Sequence, residues 1–94
     1  MATAIFNGTV IAQSDDIEIV EGNAYFPISA LDRQFVVESD RSTHCPWKGD
    51  ASYWHLEVDG ERAANAAWYY PSPKAGAEAV TGRVAFYPAV AVET

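Results

Sequence analysis

Ligands for metals are scarce in this chain, which has one cysteine and two histidines in 94 residues. A single cysteine cannot form an internal disulfide, and a structural zinc site needs four cysteine or histidine ligands. With Cys45, His44 and His55 as its only soft ligands, the chain would have to recruit carboxylates to bind zinc. We therefore expect neither a metal nor another cofactor.

Basic residues are also few, because six lysines and arginines stand against 13 acidic residues and leave a net charge of −7. Residues 1–40 contain seven acids and a single base, Arg33. A surface that binds phosphate groups needs the opposite charge, so we expect neither nucleic acid nor an anionic membrane as a partner. The acidic charge also has a simpler explanation, which is solubility.

Long apolar runs are absent. The N-terminal stretch MATAIFNGTV lacks the basic and apolar regions of a signal peptide, and no run approaches the ~20 residues that span a bilayer. These features favour a cytoplasmic location.

Short β-branched and aromatic segments are abundant, and turn residues separate them at close intervals. Asn7–Gly8 and Asp59–Gly60 each lie between two such segments and predict tight hairpins, while Glu21–Asn23 predicts a looser turn. Short helices are predicted at Pro27–Leu31 and from Pro73 to Ala79. The spacing predicts one all-β domain over residues 1–94, with one or two short helices.

The hairpin at Asp59–Gly60 carries the strongest indication of a site. A regular hairpin pairs Val58 with Glu61 and Tyr53 with Ala66, and its side chains alternate between two faces. One face carries Trp54, Leu56 and Val58, which are typical of a buried core. The other face carries the following residues: Tyr53, His55, Glu57, Arg62, Ala64, Ala66, Trp68 and Tyr70.

Small alanines between large aromatic rings predict a concave surface, which is typical of a ligand pocket. Aromatic residues also pack ordinary strand cores, so a core is the alternative interpretation of this face. A one-residue bulge would exchange the two faces.

Cys45 is a candidate nucleophile if a neighbouring base or cation favours its thiolate. His55 and Lys48 are the candidates for that role, and a buried, unreactive thiol is the alternative. Proline after Cys45 favours an extended backbone there, and Lys48–Gly49 permits a sharp bend.

The chain resembles the family called domain of unknown function 427, whose members are mostly small bacterial proteins. The resemblance extends over nearly the whole chain and rests on four segments: VEGNAYFP, CPWKGDASYWHL, NAAWYYPSP and VAFY. The corresponding motif positions are Glu21, Gly22, Tyr25, Phe26, Pro27, Cys45, Pro46, Trp47, Lys48, Gly49, Ala51, Tyr53, Asn65, Ala67, Trp68 and Tyr70.

This resemblance implies a compact β-tent fold of coiled antiparallel sheets, shared with methionine sulfoxide reductase B and the thalidomide-binding domain of cereblon. Those relatives usually carry zinc on paired CxxC knuckles, whereas this chain has only Cys45. The family is sometimes labelled nucleotidyltransferase-like, but the sequence shows no set of acidic metal ligands of the kind that such enzymes use. The resemblance therefore implies no particular reaction.

The leading hypothesis is a module that binds a small heterocyclic molecule, as a monomer or small homo-oligomer. Its ligand-binding residues would be Glu21, Tyr25, Cys45, Trp47, Lys48, Tyr53, Trp68 and Tyr70. The alternatives are an enzyme that uses Cys45 as nucleophile or redox centre, and a protein-interaction or oligomerisation module with exposed aromatic residues.

Overall fold

The computed structural model describes residues 1–94 as nine β-strands and three short 3₁₀ turns, which confirms the predicted all-β class. The strands are β1 (Ala2–Phe6), β2 (Thr9–Ser14), β3 (Glu18–Val20), β4 (Asn23–Pro27), β5 (Val36–Cys45), β6 (Gly49–Val58), β7 (Glu61–Tyr69), β8 (Arg83–Phe86) and β9 (Ala91–Glu93). The 3₁₀ turns are Ile28–Ala30, Arg33–Phe35 and Glu78–Val80. No helix in the structure has the length and apolar character needed to cross a membrane.

Two-residue turns with positive φ close three of the hairpins. The φ angles are 49° and 76° at Asn7–Gly8, and 50° and 82° at Asp59–Gly60, so both predicted turns are confirmed. The third turn is tighter than predicted. Glu21–Gly22 forms it alone, with φ of 54° and 81°, and Asn23 already belongs to β4.

A helix between Pro73 and Ala79 does not form, which corrects the sequence prediction. The backbone N–H of Lys74 donates to the carbonyl oxygen of Lys48 at 2.9 Å, and Gly76 has a φ of 95°. The positive φ of Gly76 is incompatible with a continuous helix, and only Glu78–Val80 makes a 3₁₀ turn. The Pro27–Leu31 prediction corresponds to the turn at Ile28–Ala30.

All the paired strands are antiparallel, and they form two sheets. The larger sheet has the order β3-β4-β8-β7-β6-β5, and the smaller has the order β2-β1-β9. The segment 87–90 therefore leads the chain from β8 in one sheet to β9 in the other.

Strand alternation sorts the buried side chains of the larger sheet into two clusters. Tyr25 and Phe26 are adjacent in β4 and both fully buried, yet they belong to different clusters. The larger core includes Trp54, Leu56 and residues of β1 and β2, so it joins the two sheets. The second group, here called the aromatic cluster, consists of Tyr25, Ala51, Tyr53, Tyr70, Ala77, Val80 and Ala85.

Candidate functional site

A cavity of about 640 Å³ opens on the surface near the aromatic cluster. Its wall is formed by the β3–β4 hairpin, by strands β6, β7 and β8 with residues next to their ends, and by the C-terminal segment. The lining residues are Ile19, Gly22, Asn23, Ala24, Lys48, Tyr53, Trp68, Tyr70, Phe86, Tyr87, Pro88, Val90, Val92 and Thr94. The volume lies within the range of about 300–1,000 Å³ that is typical of small-molecule sites.

Three aromatic rings form one wall of the cavity. Tyr53 and Trp68 lie opposite each other in the pairing of β6 with β7. Tyr87, which is 43% exposed, lies nearly parallel to Tyr53 with ring centroids 6.4 Å apart. It also tilts against Trp68, with centroids 4.6 Å apart. The three rings therefore contact one another and present aromatic surface to the cavity.

The register between β6 and β7 differs from the predicted one. Leu56 pairs with Ala63 as expected, but Trp54 then pairs with Ala67, because a bulge adds two residues to β7. The predicted pairing of Tyr53 with Ala66 is therefore wrong. An insertion of two residues preserves the alternation, so Tyr53 and Trp68 still share a face.

The predicted alanine floor is wrong as well, because Ala64 and Ala66 lie within the bulge and pair with no residue of β6. Ala64 is exposed and Ala66 packs into the larger core. The alanines of the aromatic cluster are instead Ala51, Ala77 and Ala85, of which Ala85 pairs directly with Trp68.

Trp68 is fixed by a contact with Tyr25. The indole N–H of Trp68 donates a hydrogen bond to the hydroxyl of Tyr25 at 3.0 Å, and the two rings meet edge to face at 6.2 Å. Tyr25 is fully buried and does not line the cavity itself. It therefore orients a residue of the wall.

Lys48 is the only charged side chain among the lining residues, and only 6% of the residue is exposed. Its ammonium group forms an ion pair with the half-exposed carboxylate of Glu21. The ammonium nitrogen also lies 5.3 Å from the ring centroids of Trp47 and Tyr70, which are distances typical of cation–π contacts.

The pair is held in its ionised form. Burial opposes the charge of Lys48, but the hydrogen bond to Glu21 and the phenols of Tyr25 and Tyr70 outweigh it and raise the pKa of Lys48. The hydrogen bond from Lys48 lowers the pKa of Glu21. The cavity consequently contains a permanent ammonium group that is neutralised by a neighbouring carboxylate.

The backbone around Lys48 explains how a lysine comes to be buried in a turn. Cys45 pairs with Gly49 across a three-residue connection, and Gly49 has a φ of 111°. The segment that follows β7 crosses this turn at Lys74. Its backbone N–H donates to the carbonyl oxygen of Lys48, and its ammonium group donates to the carbonyl oxygen of Pro46, both at 2.9 Å. These bonds hold the turn against the rest of the site.

Tyr53 has the most polar surroundings of the three wall residues. Its hydroxyl shares a 2.9 Å hydrogen bond with Thr43, and the guanidinium carbon of Arg41 lies 5.2 Å from its ring centroid. Burial opposes ionisation of Tyr53, but Thr43, Tyr87 and Arg41 outweigh it and lower the pKa of Tyr53. Interaction with Tyr53 and burial both raise the pKa of Tyr87.

The family model for domain of unknown function (DUF427) matches residues 1–94, which is the whole chain. The chain belongs to this family. Comparison with curated proteins gives no significant match.

In this DUF427 chain, the structure places the eight predicted ligand-binding residues at different distances from the cavity. Four line it directly: Lys48, Tyr53, Trp68 and Tyr70. Tyr25 supports Trp68, and Glu21 pairs with Lys48. Trp47 is 44% exposed and lies beside the ammonium group of Lys48, while Cys45 is half-buried and packs against the aromatic cluster. The residues that do not line the cavity are therefore Glu21, Tyr25, Cys45 and Trp47.

Of the predicted catalytic candidates of the DUF427 chain, His55 is not brought close to Cys45, whereas Lys48 lies in the turn that directly follows Cys45. His55 lies six residues along β6 from Gly49, the partner of Cys45, so the two residues are separated by about 20 Å of strand. The Nδ1 atom of His55 instead accepts a hydrogen bond from the backbone N–H of Asn65 at 2.9 Å. His55 therefore cannot act on the Cys45 thiol in this structure, and no group of three or more metal-ligating side chains comes together.

Sequence reasoning missed the C-terminal part of the cavity wall. Tyr87, Pro88, Val90 and Val92 line the cavity because β8 pairs with β7, and the chain then crosses to the second sheet. The aromatic pair Phe86–Tyr87 before a proline is the only local signal of this wall, and nothing near it in sequence indicates the pairing partner.

Proposed function

We propose that this chain binds a small, planar heterocyclic molecule in the cavity beside the aromatic cluster. The observation that carries the proposal is the meeting of three aromatic rings, Tyr53, Trp68 and Tyr87, with the buried ammonium group of Lys48 around one cavity. Such a combination of apolar walls and a few polar groups is typical of small-molecule sites.

The aromatic wall supplies the surface for a planar ligand. Aromatic rings prefer offset-stacked or edge-to-face contacts with other rings, and tyrosine and tryptophan bury large areas at a small cost in side-chain entropy. Tyr87 leaves part of its ring exposed, and Trp68 is held in one orientation by Tyr25. A stacked ligand would therefore meet a wall that is already ordered.

Lys48 supplies the polar contact. An ammonium group carries three donor hydrogens, and the ion pair with Glu21 occupies one of them. The remaining donors can bind a ring carbonyl or ring nitrogen, and the polar residue Asn23 also lines the cavity. These contacts would orient a heterocycle, while stacking would provide most of its affinity.

A thermal-shift screen of nucleobases, cyclic amides and other small heterocycles tests the proposal. A ligand at a concentration 100 times its Kd stabilises the fold by about 2.7 kcal/mol, which raises the Tm of a domain of this size by about 10–20 °C. Isothermal titration calorimetry would then give the Kd of each compound that shifts the Tm.

Two variants link a hit to the cavity. Tyr87→Ala removes part of the aromatic wall, and Lys48→Met removes the ammonium group at similar volume, so each is expected to weaken binding at least tenfold. The matched controls are Val10→Ala at an exposed site on β2 and Arg62→Met, which removes an exposed cation outside the cavity. The proposal is wrong if no compound shifts the Tm, or if both cavity variants bind the hits as wild type does.

A further inference from the structure

The charge at the cavity wall restricts which ligands can bind. Lys48 is the only charged side chain that lines the cavity, and its ammonium group is already bonded to the carboxylate of Glu21. Glu21 does not line the cavity, but its neighbour Gly22 does. A ligand that reaches Lys48 therefore also comes close to a negative charge.

The position of Glu21 is set by its backbone. Glu21 occupies the first central position of the turn between β3 and β4 with a φ of 54°, and the pairing of β3 with β4 fixes that turn. Gly22 and Asn23, which follow it, are both at the cavity. The carboxylate is thus held beside Lys48 by the same hairpin that forms one side of the cavity.

A ligand carboxylate and a ligand amide would meet this pair differently. A carboxylate placed on the ammonium group would lie next to the half-exposed carboxylate of Glu21, and repulsion between the like charges would offset the attraction to Lys48. An uncharged carbonyl oxygen can accept a donor hydrogen from Lys48 while the ion pair stays intact. Asn23 is a polar residue of the same wall.

We propose that Glu21 is a specificity residue that makes the cavity select uncharged planar ligands with a carbonyl acceptor over their anionic counterparts. This inference rests on the proposed function of the same cavity. It adds the class of ligand and the residue that determines it. Discrimination by an unfavourable charge contact is a common way of rejecting a near-identical competitor.

Matched neutral and anionic probes test the inference. The probes are indole-3-carboxamide with indole-3-carboxylate, benzamide with benzoate, and nicotinamide with nicotinate, titrated by NMR at pH 7 against wild-type protein. Within each binding pair, we expect wild type to bind the amide at least tenfold more tightly than the carboxylate. Glu21→Gln removes the competing charge and is expected to reduce that ratio at least tenfold or to reverse it.

Glu18→Gln is the matched control, because Glu18 is an exposed acid on β3 of the same hairpin and forms no ion pair. It is expected to keep the wild-type ratio, while Lys48→Met is expected to weaken binding of both members of each pair. Equal binding of amide and carboxylate by wild type would overturn the inference and leave the proposed function standing. An unchanged ratio of amide to carboxylate affinity in Glu21→Gln would also overturn the inference. The NMR spectrum of this variant checks that it is folded.

If Glu21→Gln does not fold, the ratio of amide to carboxylate affinity in wild type alone tests the inference. A wild-type preference for the carboxylates overturns it. If wild type binds no probe of any pair, the proposed function fails for these compounds and the inference fails with it.

Discussion

The indole N–H of Trp68 and the hydroxyl of Tyr25 are hydrogen-bonded at 3.0 Å, although the two residues lie 43 positions apart in the chain. Tyr25 is fully buried in β4, whereas Trp68 is half-buried in β7 and lines the cavity. Strand β8 lies between these two strands in the sheet, and it places the small residue Ala85 next to Trp68. The tryptophan ring is thus oriented by a buried partner two strands away.

Tyr25→Phe is expected to destabilise the fold by about 0.5–1.5 kcal/mol, because it removes the acceptor of the indole N–H while it keeps the ring. Chemical unfolding in urea, followed by tryptophan fluorescence, measures this difference. The matched control is Tyr69→Phe, because Tyr69 stacks on Trp54 at 4.1 Å and its hydroxyl has no hydrogen bond in the structure. Equal effects of the two substitutions would contradict the assigned role of Tyr25.

The ion pair between Glu21 and Lys48 predicts a defined pH dependence. The pKa of Glu21 is lowered in the folded state, so this carboxylate stabilises the fold above its unfolded pKa of about 4.3, and the stabilisation is lost as the pH falls through the folded value. The pKa of Lys48 is raised, so its contribution is complete below about 10.4 and is lost as the pH rises through the folded value.

Glu21→Gln is therefore expected to cost the same free energy of unfolding at pH 6 and pH 9, and progressively less as the pH falls below the unfolded pKa of Glu21. Urea unfolding of both proteins at each pH measures the difference. Glu18→Gln serves as the control, since it removes an acid from the same hairpin without breaking an ion pair. A cost at pH 3 equal to the cost at pH 6 would show that the pair contributes no charge-dependent stability.

Local sequence signals were sufficient for the part of the fold that lies near the turns. Asn7–Gly8 and Asp59–Gly60 predict their hairpins because both positions of such a turn require positive φ, which few residues tolerate. Alternation then assigns Tyr53 and Trp54 to opposite faces. The all-β class and the division of β6 into a core face and an aromatic face follow from these residues alone.

Long-range pairing could not be predicted in the same way. The bulge opposite His55 depends on Asn65, whose positive φ has no signal in the surrounding alanines. Tyr87 reaches the site only because β8 pairs with β7. The burial of Lys48 was equally hidden, because its neighbours Glu21 and Tyr70 come from distant segments. The rings and charges of the site were visible in the sequence, but their mutual contacts were not.

Gly49 is expected to be the most sensitive glycine near the site. It has a φ of 111°, and a Cβ atom placed there would lie 3.3 Å from the carbonyl oxygen of Ser72. Gly49→Ala thus combines an unfavourable backbone conformation with crowding, at an expected cost of about 1–3 kcal/mol. Gly76→Ala is the control, because Gly76 has a φ of 95° but no atom within 4 Å of the added methyl group.

Urea unfolding should therefore rank Gly49→Ala below Gly76→Ala in stability. The hydrogen bond from Lys74 to Lys48 lies at the same crossing, so Gly49→Ala is also expected to disturb the cavity more than the control does. Equal stability of the two variants would mean that the segment at Ser72 moves aside without cost.

Asn65 connects the two irregular strands on either side of β6. Its backbone N–H donates to Nδ1 of His55 at 2.9 Å, and its side chain is hydrogen-bonded to the hydroxyl of Ser39. Ser39 lies in the bulge of β5, and Asn65 lies in the bulge of β7 with a φ of 52°. Asparagine suits this position because it tolerates positive φ better than most residues and carries a polar side chain.

Two substitutions separate the hydrogen bond of the Asn65 side chain from the positive φ of its backbone. Both Asn65→Ala and Asn65→Gly remove the hydrogen bond to Ser39 and keep the backbone bond to His55, but only glycine adopts a φ of 52° without steric strain. We therefore expect both variants to be less stable than wild type, and Asn65→Gly to be more stable than Asn65→Ala by about 1 kcal/mol. Urea unfolding measures the order. If alanine were as stable as glycine here, the bulge would be free to change its backbone, and the register that places Tyr53 opposite Trp68 would not depend on the conformation of Asn65.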